Sequence, residues 1–235
     1  MTQSLPRGQQ AVEVFHRFGL THFASRFPGD AMAPSLEITG RVANVMRLPD
    51  ALHGLSRVEQ VRDFHCVTTW SVRALRWEGV RFADFFSHVL RPQAQPHDGA
   101  TLVAVRGQDG ARTALPLEDL LAPDVLLADR LNGGPLSVDH GAPLRLVAPA
   151  HYGYKSVKHL CRIEFRFPSE GYRVSGFRFM DHPRARVAME ERGRVLPGWL
   201  LRYLYRPLIP ATVAVFAKDS HKRRASTAST REPAA

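Results

Sequence analysis

Apolar and polar residues alternate through most of this chain, and helical spacing is confined to a few short stretches. Leu36-Glu37-Ile38-Thr39-Gly40-Arg41-Val42 alternates across a glycine, which predicts a strand followed by a turn, entered from a Pro-, Ser- and Gly-containing stretch over 27–35. Val61 to Val67 fits a second short strand, Thr101 to Val105 is a compact β-favouring run, and Pro143 to Pro149 reads as a strand bracketed by prolines. The strictest alternation runs from Cys161 to Phe167. It places Cys161, Ile163, Phe165 and Phe167 on one face and Arg162, Glu164 and Arg166 on the other, so Cys161 is expected to be a core thiol packed as a small hydrophobe. Between Val80 and Leu90 the period changes: Phe82, Phe85, Phe86 and Val89 recur at helical spacing with Asp84 in the first turn, where a carboxylate favours the helix dipole. Pro116 to Leu121 predicts a short helix. Leu196 to Leu204 predicts an amphipathic one, with Leu196, Trp199, Leu200, Tyr203 and Leu204 on its stripe and Pro197 in the first turn. That stripe is expected to dock on its own domain. Pro207 to Pro210 and Ala211 to Phe216 extend the apolar surface in a way that also suits a partner or a membrane interface. Predominant strands with interspersed helices make the expected class α+β.

With 235 residues, 44% hydrophobic and 23% charged, the chain suits one large domain or one domain with an appendage. No stretch approaches the roughly 20 apolar residues of a membrane span, and Met1 to Gln10 has no apolar run of the secretory kind, so a cytoplasmic protein is expected. Two cysteines make no disulfide framework, and each is judged by its own surroundings. The net charge of +10 is unevenly placed: residues 171–235 hold 13 Lys/Arg against 5 Asp/Glu, while the rest is nearly balanced. A basic end segment suits an acidic redox partner, an anionic membrane surface or nucleic acid, or is simply solvated. Nucleic acid is disfavoured because no interleaved aromatics or reading motif accompany the charge. From Lys218 to Ala235, Ser, Thr, Ala and basic residues leave little to bury, which predicts disorder.

Two segments carry the candidate chemistry. Cys66, in Phe64-His65-Cys66-Val67-Thr68-Thr69-Trp70-Ser71, sits where a short strand gives way to a Thr-rich turn. Such a thiol can serve as a nucleophile or soft metal ligand, or remain a buried structural thiol. Zinc is disfavoured because no second cysteine or spaced histidine pair accompanies it, and a cysteine-protease reading needs a histidine the sequence does not place. The second segment runs from Leu127 through Asp129-Arg130 and Asn132-Gly133-Gly134-Pro135-Leu136, past His140 and Arg145, to His151-Tyr152-Gly153-Tyr154-Lys155-Ser156-Val157-Lys158. Glycines that admit close backbone approach, with Arg145, Lys155, Ser156 and Lys158 as donors, describe an anion cradle suited to a phosphate. A glycine-rich loop with ordinary surface lysines is the alternative.

Taken together, Cys66-Val67-x-x-Trp70-Ser71, Trp77-Glu78-Gly79-Val80, the Asn132 to Leu136 turn, His140-Gly141-Ala142-Pro143-Leu144-Arg145 and Tyr152 to Lys158 resemble, in order, the molybdopterin-binding domain of the sulfite oxidase family over about Leu36 to Phe167. The resemblance implies a sulfite-oxidase-type α+β domain with mixed sheets and short helices over 36–170, an N-terminal extension over 1–35, a basic extension over 171–217 and a tail over 218–235. It implies that Cys66 ligates molybdenum as the catalytic thiolate, and that His140, Arg145, Ser156, Val157 and Lys158 hold the pterin and its phosphate. The implied activity is oxygen-atom transfer to or from a small substrate. True sulfite oxidases carry an arginine pair shortly after this cysteine, where the present chain has Val67 to Ser71, so sulfite is disfavoured. The Trp-Ser form is closer to the bacterial protein-methionine-sulfoxide reductase catalytic subunits, although the twin-arginine export signal of those proteins is not seen. With no haem, flavin or iron–sulfur motif in the sequence, electrons are expected to pass to a separate haem or flavin protein, for which the basic C-terminal quarter is a docking candidate. Asp129 and Arg130 are candidates to line the substrate pocket, or else a surface pair. The second function class is a cofactor- or partner-binding module without catalysis, recruited through that same basic segment.

Overall fold

The structure, a computed structural model, describes residues 4–28, 35–176 and 178–229. Residues 29–34 of the stretch before Leu36, and 230–235 of the tail, lie outside the described residues. Eleven strands among them form two sheets. The first sheet contains β1 (Gln10–Ala11), β4 (Val58–His65), β5 (Trp70–Arg81), β8 (Leu126–Leu131), β9 (Gly134–Pro135) and β10 (Arg145–Val147). The second contains β2 (Leu36–Gly40), β3 (Met46–Leu48), β6 (Leu102–Gly107), β7 (Arg112–Pro116) and β11 (Leu160–Arg166), in the order β3-β2-β11-β6-β7. β2 and β11 run parallel within an otherwise antiparallel sheet. The helices are α1 (Phe82–Phe85), which continues as a π-helix over Phe86–Ala94, α2 (Leu117–Leu120), α3 (Gly198–Tyr205) and α4 (Ile209–Ser229). This is the expected α+β class with mixed sheets.

β5 organises the first sheet, because its 12 residues are long enough to pair with β4 on one edge and with both β1 and β8 on the other. The helix read from Val80 begins at Phe82 instead, since Val80 and Arg81 still pair with Leu127 and Leu126 on β8. Its second half takes the wider π geometry around Pro92, which has no N–H to give to a regular α ladder. Phe82, Phe85 and Leu90 from this helix meet Leu36, Ile38, Val103, Val105, Ile163 and Phe165 from the second sheet and Val80, Leu127 and Leu146 from the first, in one buried cluster. A second cluster on the first sheet holds Cys66, Trp70, Val72, Trp77 and Leu126, and takes in Phe15, Phe18 and Ile209 from outside the central segment. The chain termini therefore contribute to the packing around Cys66.

One close approach fixes the joint between β5 and β8. A Cβ built on Gly79, beside the register shift at Glu78/Gly79, would lie 2.1 Å from the Leu127 carbonyl oxygen. Gly79→Ala is expected to destabilise the protein by about 1–3 kcal/mol through overpacking. A lowered midpoint in chemical denaturation checks this, and an unchanged midpoint would contradict the tight contact.

Three expectations are corrected. Cys161 is not in the core: a register shift between Leu160 and Arg162 rotates it out of step with Ile163 and Phe165. It is half-buried, with Sγ 3.4 Å from the Arg106 carbonyl oxygen. The stripe around Trp199 does not dock as a whole. Leu201 and Tyr205, one turn apart, are buried, whereas Trp199, Tyr203 and Leu204 are each more than half exposed. The disorder expected from Lys218 does not begin there, because α4 continues to Ser229. Phe216 anchors α4 against Phe18 and Phe23, the Ser220 hydroxyl donates to Asp139, and the alanines and basic residues beyond are good helix formers. Among the described residues no helix is long and apolar enough to cross a membrane.

Candidate functional site

Cys66 follows the last residue of β4 and opens a tight turn into β5. Its N–H donates to the Trp70 carbonyl at 2.8 Å, the Thr69 N–H returns to the Cys66 carbonyl at 3.2 Å, and Thr69 closes the turn at φ +85°. A β-branched residue in the left-handed region is strained, and such strain collects at functional turns. His65, just before the thiol, is buried and bonded through Nδ1 to the Ser71 hydroxyl at 2.8 Å, which leaves Cys66 facing the other way. The Cys66 side chain opens on a cavity of about 470 Å³, within the usual range for ligand pockets. Ser156, Val157 and Lys158 line the same cavity from the other segment singled out in the sequence. The thiol and part of the anion cradle, some 90 residues apart in sequence, thus share one cavity.

The charges around this cavity are shaped by burial. Burial pushes the Cys66 thiol up, opposed by its hydrogen bond with Thr68 (Sγ to Oγ1 3.1 Å) and by the positive charges of Arg192 and Lys158. Lys158 donates to the Asp139 carbonyl at 2.9 Å and is brought down to about 7 by burial, then by repulsion from Arg145 and Arg17, against the pull of Asp109 and Asp139. His140 and His159 are both brought down to about 4, chiefly by burial. Depressed cations around a cavity are primed for an anion, which would restore their ordinary values.

The remaining predicted residues lie beside the cavity rather than on it. Arg145 is fully buried. Its guanidinium donates to the His140 carbonyl (2.8 Å) and the Ser156 carbonyl (3.2 Å), tying the two segments together, and lies over the rings of Trp77, Phe64 and Phe15. His140 stacks flat on Phe15 at 4.6 Å, and Phe15 itself lines the cavity. Lys155, which the sequence grouped with the cradle, sits in the 3-10 turn Gly153–Lys155 and does not line the cavity: its ammonium donates to the Ala114 carbonyl at 2.8 Å and pairs at 3.5 Å with Asp181, which does. Asp129 and Arg130 form surface pairs, with Arg57 and with Glu78, and neither lines the cavity.

Several residues on the cavity were not singled out in the sequence. Phe15, Arg17 and Phe18 reach it from the N-terminal segment, and Tyr205, Thr212 and Phe216 from the C-terminal helices. Arg17 is buried, donates to the carbonyls of Phe23, Ala24 and Arg26, and stacks between Phe27 and Phe216. Arg192, also fully buried, donates to the Val67 carbonyl at 2.5 Å and to the carbonyls of Arg7 and Gly8, which ties the cysteine turn to the N-terminal segment. The cluster of aromatics over Phe15–Phe23 was the available signal for the first group; nothing local marks Arg192. Arg192→Met is expected to loosen this turn and push the thiol of cofactor-free protein further up. The check is the pH profile of thiol labelling, where an unchanged midpoint would show that Arg192 neither braces nor polarises Cys66.

A molybdenum–pterin group fits these residues on three counts. Cys66 is a soft sulfur donor at the wall of a ligand-sized cavity, and cationic or hydroxyl donors stand on the same wall. His140 Nδ1 and Arg145 Nε, on two of the five residues the resemblance assigns to the pterin and its phosphate, are buried without hydrogen-bond partners. Among the described residues no group of three or more His, Cys, Asp or Glu could hold a metal, so a metal at Cys66 needs donors from a bound group, as a dithiolene supplies.

The comparisons agree with the geometry. Residues 26–172 match the family described as oxidoreductase molybdopterin binding domain. The uncharacterized oxidoreductase YuiH of Bacillus subtilis is 39% identical over 132 residues, covering 56% of this chain and 64% of that protein. The protein-methionine-sulfoxide reductase catalytic subunit MsrP of Xanthomonas campestris is 31% identical over 173 residues, covering 63% and 52%. The mitochondrial sulfite oxidase of Drosophila melanogaster is 36% identical over 106 residues, covering 40% and 18%. The chain thus spans between about half and two thirds of the first two relatives. With a family match over more than half of its length, centred on the segment that builds the Cys66 cavity, the chain belongs to the oxidoreductase molybdopterin-binding-domain family.

Proposed function

We propose that this protein is a molybdenum-cofactor-dependent oxidoreductase that transfers an oxygen atom to or from a small substrate and exchanges electrons with a separate carrier. The observation that carries the reading is the meeting of the Cys66 thiol with Ser156, Val157 and Lys158 on one cavity. When bound, the cofactor supplies two-electron oxygen-atom transfer at a thiolate-ligated molybdenum. Cys66 would give the ligand sulfur, bound as the thiolate despite the burial that raises the free thiol. The Thr68 hydroxyl, 3.1 Å from that sulfur, holds its orientation and takes up part of its charge. Lys158 and Ser156, on the cavity wall, would hold the pterin phosphate, with Arg145 and His140 behind them. Phe15, Phe18 and Phe216 wall the cavity and exclude water.

The residues after Cys66 support the choice of substrate. Val67 and Thr68, on the cavity, are neutral where an arginine pair would hold sulfite, so a neutral sulfoxide-type acceptor fits better than an oxyanion. The exposed Trp199, Tyr203 and Leu204, with Arg202 and Arg206 alongside, support a peripheral contact with a membrane interface, and cosedimentation with anionic vesicles tests it. The cofactor assignment is tested by molybdenum and pterin analysis of protein made in a host that synthesises the cofactor. About one of each per chain is expected, with methionine sulfoxide turned over faster than sulfite. A folded protein containing neither molybdenum nor pterin would overturn the reading.

A further inference from the structure

The outward face of the second sheet carries a row of charge that the cofactor site does not use. Reading across its five strands, Arg47 on β3, Glu37 on β2, Arg162 on β11, Arg106 on β6 and Arg112 on β7 are successive lateral neighbours. Glu37 bonds Arg162 at 2.7 Å. Beyond it, Arg162 stands beside Arg106 and Arg106 beside Arg112, two like-charged neighbours in sequence across the sheet. Like charges directly opposite destabilise a sheet, so the row exists at the expense of the fold. The next row on this face, Thr39, Glu164, Ala104 and Ala114, does not neutralise it, because Glu164 is paired with Arg166. Ser35, Glu37, Arg47, Arg106, Cys161 and Arg162 border a depression of about 400 Å³ in the middle of the row. Arg112, at the far end, also lines the Cys66 cavity. The Arg112 guanidinium is held below its ordinary value by burial and then by Arg106, Arg173 and Arg162, which extends the positive field beyond the row itself.

We propose that this arginine row is the docking strip for an acidic protein surface, that of the carrier which exchanges electrons with the Cys66 site. Five strands spaced by about 4.8 Å spread the row over roughly 19 Å, far longer than one phosphate and well matched to carboxylates distributed over a protein surface. The face offers no aromatic side chains in either row on which bases of a single strand would stack. Its end at Arg112 brings a docked protein to the wall of the cavity. Charge complementarity of this kind steers encounter and fixes orientation. The assignment rests on the redox reading above and relocates the carrier from the basic C-terminal quarter to the sheet.

The test uses the full-length, molybdenum-loaded protein with two probes: a fluorescent dodecaglutamate peptide, and a chemically reduced acidic flavodoxin as electron donor. Wild type is expected to bind the peptide in low salt and to lose at least tenfold in affinity between about 20 and 200 mM salt, as screening requires. Arg106→Glu, and separately Arg106→Gln with Arg162→Gln, are expected to weaken peptide binding and slow reduction by flavodoxin at least tenfold, with reduction by dithionite unchanged. The glutamine pair keeps the test sound if charge reversal perturbs the sheet. Unaltered peptide binding and flavodoxin rates in both variants would overturn the proposal while leaving the cofactor reading standing. So would tighter binding of an oligothymidylate than of the peptide through the same arginines. Protein that takes up neither molybdenum nor pterin in a host that synthesises the cofactor would instead overturn the redox reading, and with it the carrier as occupant, even where the row still binds the peptide.

Discussion

Cys66→Ser is expected to yield a folded protein that no longer carries out oxygen-atom transfer and retains molybdenum poorly. The exchange is nearly isosteric, and the Thr68 hydroxyl that stands 3.1 Å from the sulfur can bond the serine oxygen equally well, so the fold is spared. What is lost is chemical. A serine hydroxyl is a hard ligand with a far higher pKa than a thiol, and the cavity's burial, which already pushes the thiol up, penalises an alkoxide still more. In the proposed site the pterin phosphate would be held by Ser156 and Lys158 and not through Cys66, so pterin is expected to persist in part while the metal site changes. Circular dichroism, molybdenum content and released pterin measured on one preparation separate these effects. A variant that keeps its molybdenum and more than a few per cent of wild-type turnover would remove Cys66 from the metal.

This separation of roles follows how the site is encoded. Cys66 and the Ser156-Val157-Lys158 run were legible because each is a local chemical statement: a thiol at a strand end, and donors beside a glycine. The strand pattern was legible for the same reason, as in β2 and β11, where Ile38, Ile163 and Phe165 alternate into the core. What failed to show is what depends on one-residue changes of register or on distant packing. The shift between Leu160 and Arg162 moves Cys161 off the core face although the alternation of residue types is unbroken. The 3-10 turn at Gly153–Lys155 points Lys155 at Ala114 and Asp181, although it is a neighbour of two cavity residues. Phe15, Arg17, Arg192 and Phe216 come from segments read as extensions, and only the closed fold brings them to the cysteine turn and its cavity. The arginine row is likewise invisible along the chain, because its four arginines and the interposed Glu37 lie on five strands whose order in the sheet differs from their order in sequence.

Lys158 provides the second large effect and links the cavity to pH. In the cofactor-free protein its ammonium stands at about 7 against an ordinary value of 10.5, chiefly through burial and the nearby Arg145 and Arg17. The folded-state value lies below the unfolded one, so the unfolded chain binds more protons between these limits. The stability of cofactor-free protein is therefore expected to rise with pH from about 7 to 10.5 on account of this group. An anionic phosphate beside Lys158 would reverse the preference by stabilising the charged form, so that above about pH 7 cofactor binding would take up a proton. Affinity for the cofactor is expected to fall above about pH 7, by up to tenfold per pH unit until the bound-state value is reached. Lys158→Met removes the charge while keeping much of the side chain's volume. It is expected to weaken pterin retention by about 10- to 100-fold, the scale of a charged hydrogen bond worth about 1.5–3 kcal/mol. It should also flatten both pH dependences and raise the thermal midpoint of the cofactor-free protein near neutral pH, where a buried ammonium is costly. Pterin released from protein dialysed at a series of pH values, together with melting curves of the same samples, measures all three. If the variant holds its pterin as wild type does and keeps the same pH profile, the phosphate does not sit at Lys158, and the anion end of the cavity must be sought at Arg17 instead.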